Sequence, residues 1–329
     1  SLPLVPSMAW RACPGQSAMT VNSSRAASAG AGPDPGEARR GLAFTLTAFL
    51  LWGFNPFYFK AVAAVPPFEV LTHRVIWSVV MLLPLYLAMR RPWPFRLVLR
   101  DRRVLAMLLA STTIIAGNWL IYIWSIVSDQ LLQASLGYYV TPLVNVALGI
   151  LVLRERLRPL QAVAVALAAA GVVLQAVGVG GLPWIAIGLA LSFGTYGLLR
   201  KQMGIGAIDG LFVEVLLMAP VALGFVLWWE IAGGGSFAHR GIGIDLLLLA
   251  AGQVTAIPLI LFAAGARRIT MVALGFCQYL APSIYFLLGV FWYGEPFGSW
   301  SLASFLVIWL ALAIFTWDGL RGRSRARPG

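Results

Sequence analysis

The stretch YVTPLVNVALGILVLRE at residues 139–155 is echoed by YLAPSIYFLLGVFWYGE at residues 279–295. Tyr139, Pro142, Leu148, Gly149 and Glu155 recur as Tyr279, Pro282, Leu288, Gly289 and Glu295 at a constant offset of 140. Upstream, Leu50, Gly53 and Lys60 recur as Leu191, Gly194 and Lys201 at an offset of 141. Self-similarity at a fixed distance implies two related structural units rather than one irregular chain.

The medium around those units follows from composition. The chain has 329 residues, of which 60% are hydrophobic and 11% charged, with a mean hydropathy of +0.85. A water-soluble protein this apolar could not cover its surface with polar groups, so hydrocarbon must solvate most of it. The net charge of +12 does not form a continuous basic domain. Its cations lie between apolar runs, which argues against a nucleic-acid partner. Two cysteines, Cys13 in a polar tail and Cys277 in an apolar run, offer neither a plausible disulfide nor metal-ligand spacing.

Residues 1–40, rich in Ala, Gly, Ser and Pro, read as a disordered tail, and 319–329 as a short basic tail. Between them lie ten apolar spans, at 41–64, 68–89, 104–126, 131–152, 160–178, 182–199, 209–229, 244–264, 270–292 and 299–317. Each is about long enough to cross a ~30 Å hydrocarbon core as a helix, and none alternates as a barrel strand would. Backbone groups in lipid must be satisfied within the segment, so the spans are helices. The expected fold is therefore an all-α integral membrane protein of ten transmembrane helices.

Lys and Arg give the orientation. With the N-terminus in the cytoplasm, 21 of the 24 cations fall inside, including the loop from Arg90 to Arg103 and the tail from Arg321 to Arg327. Arg240 falls outside, and Lys60 and Arg74 lie within spans. Both termini are then cytoplasmic. Five spans per half is an odd number, so the second half enters from the opposite face. The repeat becomes two inverted five-helix halves, 41–178 and 182–318, with an interior shared between them. Glu155 and Glu295 then mark opposite membrane faces, as structural residues.

Several segments carry a family resemblance. LWGFNPFYFK at 51–60 and HRVIWS at 73–78 open it; NWLIYIW at 118–124, ASLGYY at 134–139, LFAAGARR at 261–268 and GVFWYGEP at 289–296 continue it. Over about 41–318 the chain resembles RarD-type permeases of the EamA branch of the drug/metabolite transporter superfamily. The resemblance implies a ten-helix permease of a bacterial inner membrane, made of two EamA-like repeats. Gln133 and Thr141 depart from the acid and the asparagine the resemblance leads one to expect there.

Charges within spans are costly and mark either function or snorkelling near an interface. Lys60, Glu69, His73 and Arg74 would form a polar cluster at the external mouth, with Glu69 and His73 paired i,i+4. Lys201 and Glu214 hold the corresponding places near the cytoplasmic mouth. These are gate or ion-coupling candidates, against the alternative that they fix helix ends. Asn55 and Tyr58, Asn118, Trp119 and Tyr122, and Tyr138 and Asn145 supply pocket candidates from the first half. Tyr196, Gln253, Gln278 and Tyr285 supply them from the second. Amides at membrane depth also serve as interhelical glue, the alternative reading. Pro142 and Pro282 would bend the fourth and ninth helices. Gly171 and Gly178 lie on the fifth span, and the tenth is nearly charge-free until Asp318; from this composition the two helices are expected to be peripheral, packing against lipid or a second copy in a homodimer.

These observations favour a secondary transporter of small organic metabolites or drugs by alternating access. No GxxxxGK[ST] phosphate loop occurs, so an ion or solute gradient would drive it, with Glu214, Glu69 or His73 as titrating groups. A passive channel or a non-transporting membrane scaffold is the alternative. His73 and His239 are the only histidines, and no nucleophile–base, metal or paired-acid constellation suggests an enzyme. No cofactor or metal is implied.

Overall fold

Pro66 and Pro67 separate the first two helices, and the same logic of breakers and caps delimits the rest. The computed structural model describes residues 35–89, 101–153, 159–203, 207–266, 268–269 and 277–324. Among them the helices are α1 (Pro35–Ala61), α2 (Pro67–Ala88), α3 (Arg102–Val127), α4 (Leu131–Leu153), α5 (Pro159–Val179), α6 (Trp184–Met203), α7 (Ala207–Ile231), α8 (Ile242–Ala266), α9 (Leu280–Leu287) and α10 (Ser299–Ser324). α9 widens into a π turn over Leu288–Trp292. Among the described residues seven helices are long and apolar enough to cross a membrane, and Trp184–Arg200 and Leu280–Trp292 are shorter apolar helices.

Each helix overlaps one apolar run of the sequence, and the ends differ for local reasons. Pro67 opens α2 at a position whose N–H has no intrahelical acceptor. The Asp101 carboxylate caps α3 by accepting from the N–H groups of Arg103 and Val104, at 2.8 and 3.4 Å. α1 begins at Pro35, inside the segment expected to be tail. Its first turn carries Glu37, whose carboxylate accepts from Arg268 Nε at 2.9 Å. α10 likewise continues to Ser324, past the expected start of the basic tail. Glu155 and residues 270–276 lie outside the described residues.

Glu295 serves a helix it does not belong to. Its two carboxylate oxygens accept from the N–H groups of Leu131 and Leu132, at 2.5 and 2.8 Å, closing the N-terminus of α4. Burial pushes this carboxyl above the ordinary carboxylate range, and the two backbone bonds oppose the shift.

Helices from the first half of the chain pack against helices from the second. α2 packs on α8 and on α7, α5 on α10, and α4 on α9. α1 packs on α8 as α6 packs on α3, and α4 packs on α6 as α9 packs on α1. Small residues permit the closest approaches. A Cβ at Gly252 of α8 would lie 2.4 Å from the Trp77 carbonyl of α2, and one at Gly137 of α4 would lie 2.8 Å from the Ala186 carbonyl of α6. Gly171 and Gly178 of α5 face Ile308 and Trp300 of α10, so these two helices pack on each other. Ser304 donates to the Gly171 carbonyl at 2.8 Å.

Polarity is distributed as lipid solvation requires. Asn55, Glu69, His73, Arg74, Asn118, Glu214 and Thr255 are buried, while Val177, Leu182, Val221, Leu227, Trp228 and Leu310 are exposed.

Candidate functional site

Aromatic side chains from both halves converge at the centre of the bundle. Tyr122 of α3 packs edge-on against Phe59 of α1 (centroids 5.7 Å apart) and Tyr138 of α4 (5.7 Å), and lies tilted against Tyr285 of α9 (5.6 Å). Tyr138 and Tyr285 are 6.0 Å apart. Two hydroxyls are committed to backbone: Tyr58 donates to the Leu247 carbonyl at 2.9 Å, and Tyr285 to the Trp52 carbonyl at 3.1 Å. The Tyr122 hydroxyl makes no well-formed hydrogen bond.

Arg74 enters this cluster from α2. Gly252 lets α8 approach α2, which brings Thr255, one turn further along α8, to the guanidinium. Arg74 Nε donates to Thr255 Oγ1 at 2.6 Å. The guanidinium carbon lies 4.2 Å from the Trp119 ring and 5.9 Å from the Phe59 ring. Only 6% of Arg74 is exposed, and its Nη1 has no hydrogen-bond partner.

The energetics of this placement are unfavourable taken alone. A desolvated cation over an indole is stabilised by about 2 kcal/mol, and a charge-assisted hydrogen bond adds roughly 1.5–3. Burying an unpaired ion costs several kcal/mol even after relaxation. The two contacts offset only part of that cost. Arg74, expected at the external mouth, is the buried charge of the aromatic cluster.

The rest of the expected external cluster is dispersed. Lys60 donates to Asp129 in the turn before α4 and lies over the Tyr293 ring at 5.4 Å. Glu69 does not pair with His73. Its carboxylate accepts from the Ser236 N–H at 2.6 Å and the Ser236 hydroxyl at 2.9 Å, tying the α7–α8 loop to the start of α2. The i,i+4 spacing made the histidine available, but a backbone N–H buried nearby has the stronger claim on the carboxylate. His73 Nδ1 accepts from the Trp77 indole N–H at 3.3 Å, and its ring packs on Phe237.

In the second half, Glu214 of α7 accepts from Ser111 Oγ at 2.8 Å and from the Tyr196 hydroxyl at 3.1 Å, with Arg200 Nη1 at 3.7 Å. Lys201 belongs to the last turn of α6, and its side chain lies outside the described residues.

The amides separate into different environments. Asn55 is buried. Asn118 is spent on α6, donating to Leu189 O at 3.2 Å and Ser192 Oγ at 2.8 Å, an interhelical bond of the kind lipid favours. Asn145 and Gln253 are exposed, and Gln278 is half-buried just before α9. Pro142 is half-buried within α4. Pro282 is buried, and its carbonyl accepts from Ser135 of α4 at 2.8 Å. Thr255, which fixes the Arg74 side chain, was not anticipated. Its one sequence signal is its place one turn after the close-approach Gly252.

Two open grooves lie elsewhere, lined by residues outside the cluster. One of about 530 Å³ is lined by Tyr139, Tyr279, Ser283, Trp309, Leu312 and Thr316. Another of about 410 Å³ is lined by Thr113, Gly117, Asn118, Ile121, Gly188 and Ser192.

With this geometry in hand, comparison with known proteins gives the family. The model of the EamA-like transporter family matches residues 39–177. An uncharacterized transporter of Vibrio cholerae is 46% identical over 295 residues, covering 90% of this chain and 98% of its own. The chain belongs to the EamA-like transporter family. Within that family it is similar to protein RarD of Escherichia coli K12, 41% identical over 296 residues that cover 89% of this chain and 99% of that one. A crystal structure of a protein 21% identical shares the fold with a TM-score of 0.54, covering 87% of this chain and 99% of the other. This EamA family member is a multi-pass membrane protein whose relatives are named as transporters rather than enzymes.

Proposed function

We propose that this EamA family member is a secondary transporter, carrying small organic solutes across a bacterial inner membrane by alternating access. Residues 41–178 and 182–318 act as two inverted repeats, and both termini are cytoplasmic. The observation that carries this reading is the composition of the central cluster. Tyr58, Arg74, Trp119, Tyr122 and Tyr138 come from the first half, and Thr255 and Tyr285 from the second. A site shared between repeats is where a rocking motion changes access from one face to the other. The exchange of helix partners between the halves supports the same reading.

Uptake into proteoliposomes containing the purified protein tests it. Initial rates that saturate with solute concentration are expected. Rates rising linearly without saturation would mean a pore and overturn the proposal.

A further inference from the structure

We propose that the Arg74 site binds the carboxylate of an amphiphilic organic acid. The anionic group pairs with the guanidinium, and a flat or apolar body packs on Trp119, Tyr122, Tyr138 and Tyr285. This deepens the transport reading and rests on it.

The first ground is charge. Among the described residues, no carboxylate lies within 4.0 Å of Arg74, which is 6% exposed and keeps Nη1 unpartnered. The buried acids and those at the helix ends have partners of their own. Glu69, little more than a turn away on α2, is turned to Ser236. Glu214 is held by Ser111 and Tyr196, and Asp129 by Lys60. Glu295 closes α4. The described residues supply no counter-ion to this cation.

The second ground is orientation. A guanidinium left to itself would turn its donors toward whatever oxygen it could reach. Here Nε is fixed by Thr255, which is itself anchored by donating to the Ala251 carbonyl at 2.9 Å. The flat face is fixed by Trp119 at 4.2 Å. The fork is held in one direction, and preorganised guanidinium donors match a carboxylate better than a point cation does. The Tyr58 and Tyr285 hydroxyls already donate to main-chain carbonyls, so those two tyrosines have only their ring faces to offer a solute. A neutral solute would leave the buried charge uncompensated, and a cationic one would add repulsion to it.

The test uses the purified full-length protein and three matched pairs: benzoate and benzamide, indole-3-acetate and indole-3-acetamide, and hexanoate and hexanamide. Members of each pair share shape and differ in charge. In thermal-shift titrations, at least one acid should raise Tm at a concentration about tenfold lower than its amide. Arg74→Gln should erase that preference, and Arg74→Lys should keep part of it. Acids no better than amides in all three pairs would overturn the proposal, and so would no acid shifting Tm. These comparisons need only the unaltered chain, so they hold even if a variant fails to fold. A preference for acids that persists in folded Arg74→Gln would also overturn it. Flux separates this from the parent reading. Saturable transport of neutral or cationic solutes, unchanged in Arg74→Gln, sinks the anion site and leaves transport standing. Arg74-dependent acid binding without any translocation sinks transport and leaves the site standing.

Discussion

Tyr139 and Tyr279, which hold the same place in the two halves of the sequence, stack on each other with ring centroids 6.2 Å apart and planes inclined by 23°. Residues related by a repeat meet in this way when the element carrying them lies beside its own axis of symmetry. In the proposed reading of two inverted repeats, α4 and α9 are the helices about which the two halves exchange. The Ser135 bond to the Pro282 carbonyl and the Tyr139 contact with Ser283 at 2.6 Å hold them together.

Inversion of the repeats predicts labelling from opposite sides. Pro159 and Ser299 open α5 and α10 at equivalent positions, and both are exposed. Single cysteines introduced at each, in a Cys13→Ser, Cys277→Ser background, should react with an impermeant maleimide from opposite membrane faces. Pro159→Cys should label from the cytoplasm. Labelling of both from one face would mean tandem repeats.

Arg74→Met predicts a gain in stability without ligand. Replacing even a buried ion pair by apolar side chains of similar volume is often neutral or stabilising by roughly 1–4 kcal/mol, and Arg74 has no ionic partner among the described residues to lose. Thr255 keeps its bond to Ala251 in the variant. Thermal unfolding of the purified protein should show an unchanged or raised Tm. A fall of several degrees would mean that Arg74 holds the bundle together rather than waiting for a solute. Functional sites commonly trade stability in this direction.

Glu69→Ala should do the opposite. It leaves the buried Ser236 N–H without its acceptor, at a cost of about 1–3 kcal/mol. The expected result is a lowered Tm, with faster proteolysis in the α7–α8 loop. An unchanged Tm with transport abolished would restore Glu69 to a gating role.

The helices were legible in the sequence because lipid leaves little choice: long apolar runs must be helical, and Pro66, Pro67 and Pro183 interrupt them. The structural duty of Glu295 was also legible, though not its partner, since α4 lies 164 residues away along the chain. Spacing shows which residues share a helix face, not which neighbour that face meets. Hence Glu69 and His73, correctly seen as one face, divide between Ser236 and Trp77. Asn145 shares a spacing with Tyr138 yet is exposed, because only the Tyr138 end of α4 turns to the cluster. Arg74 was visible as a costly charge, but its inward course depends on how closely α8 approaches α2, which a one-dimensional pattern does not carry.

Counterflow tests alternating access most directly. Proteoliposomes are preloaded with unlabelled solute, and entry of the same solute in labelled form is followed at trace concentration. A site open to one face at a time predicts that the preload accelerates labelled entry and drives a transient accumulation above the external concentration. Labelled entry that is indifferent to the preload and never exceeds equilibration would contradict it.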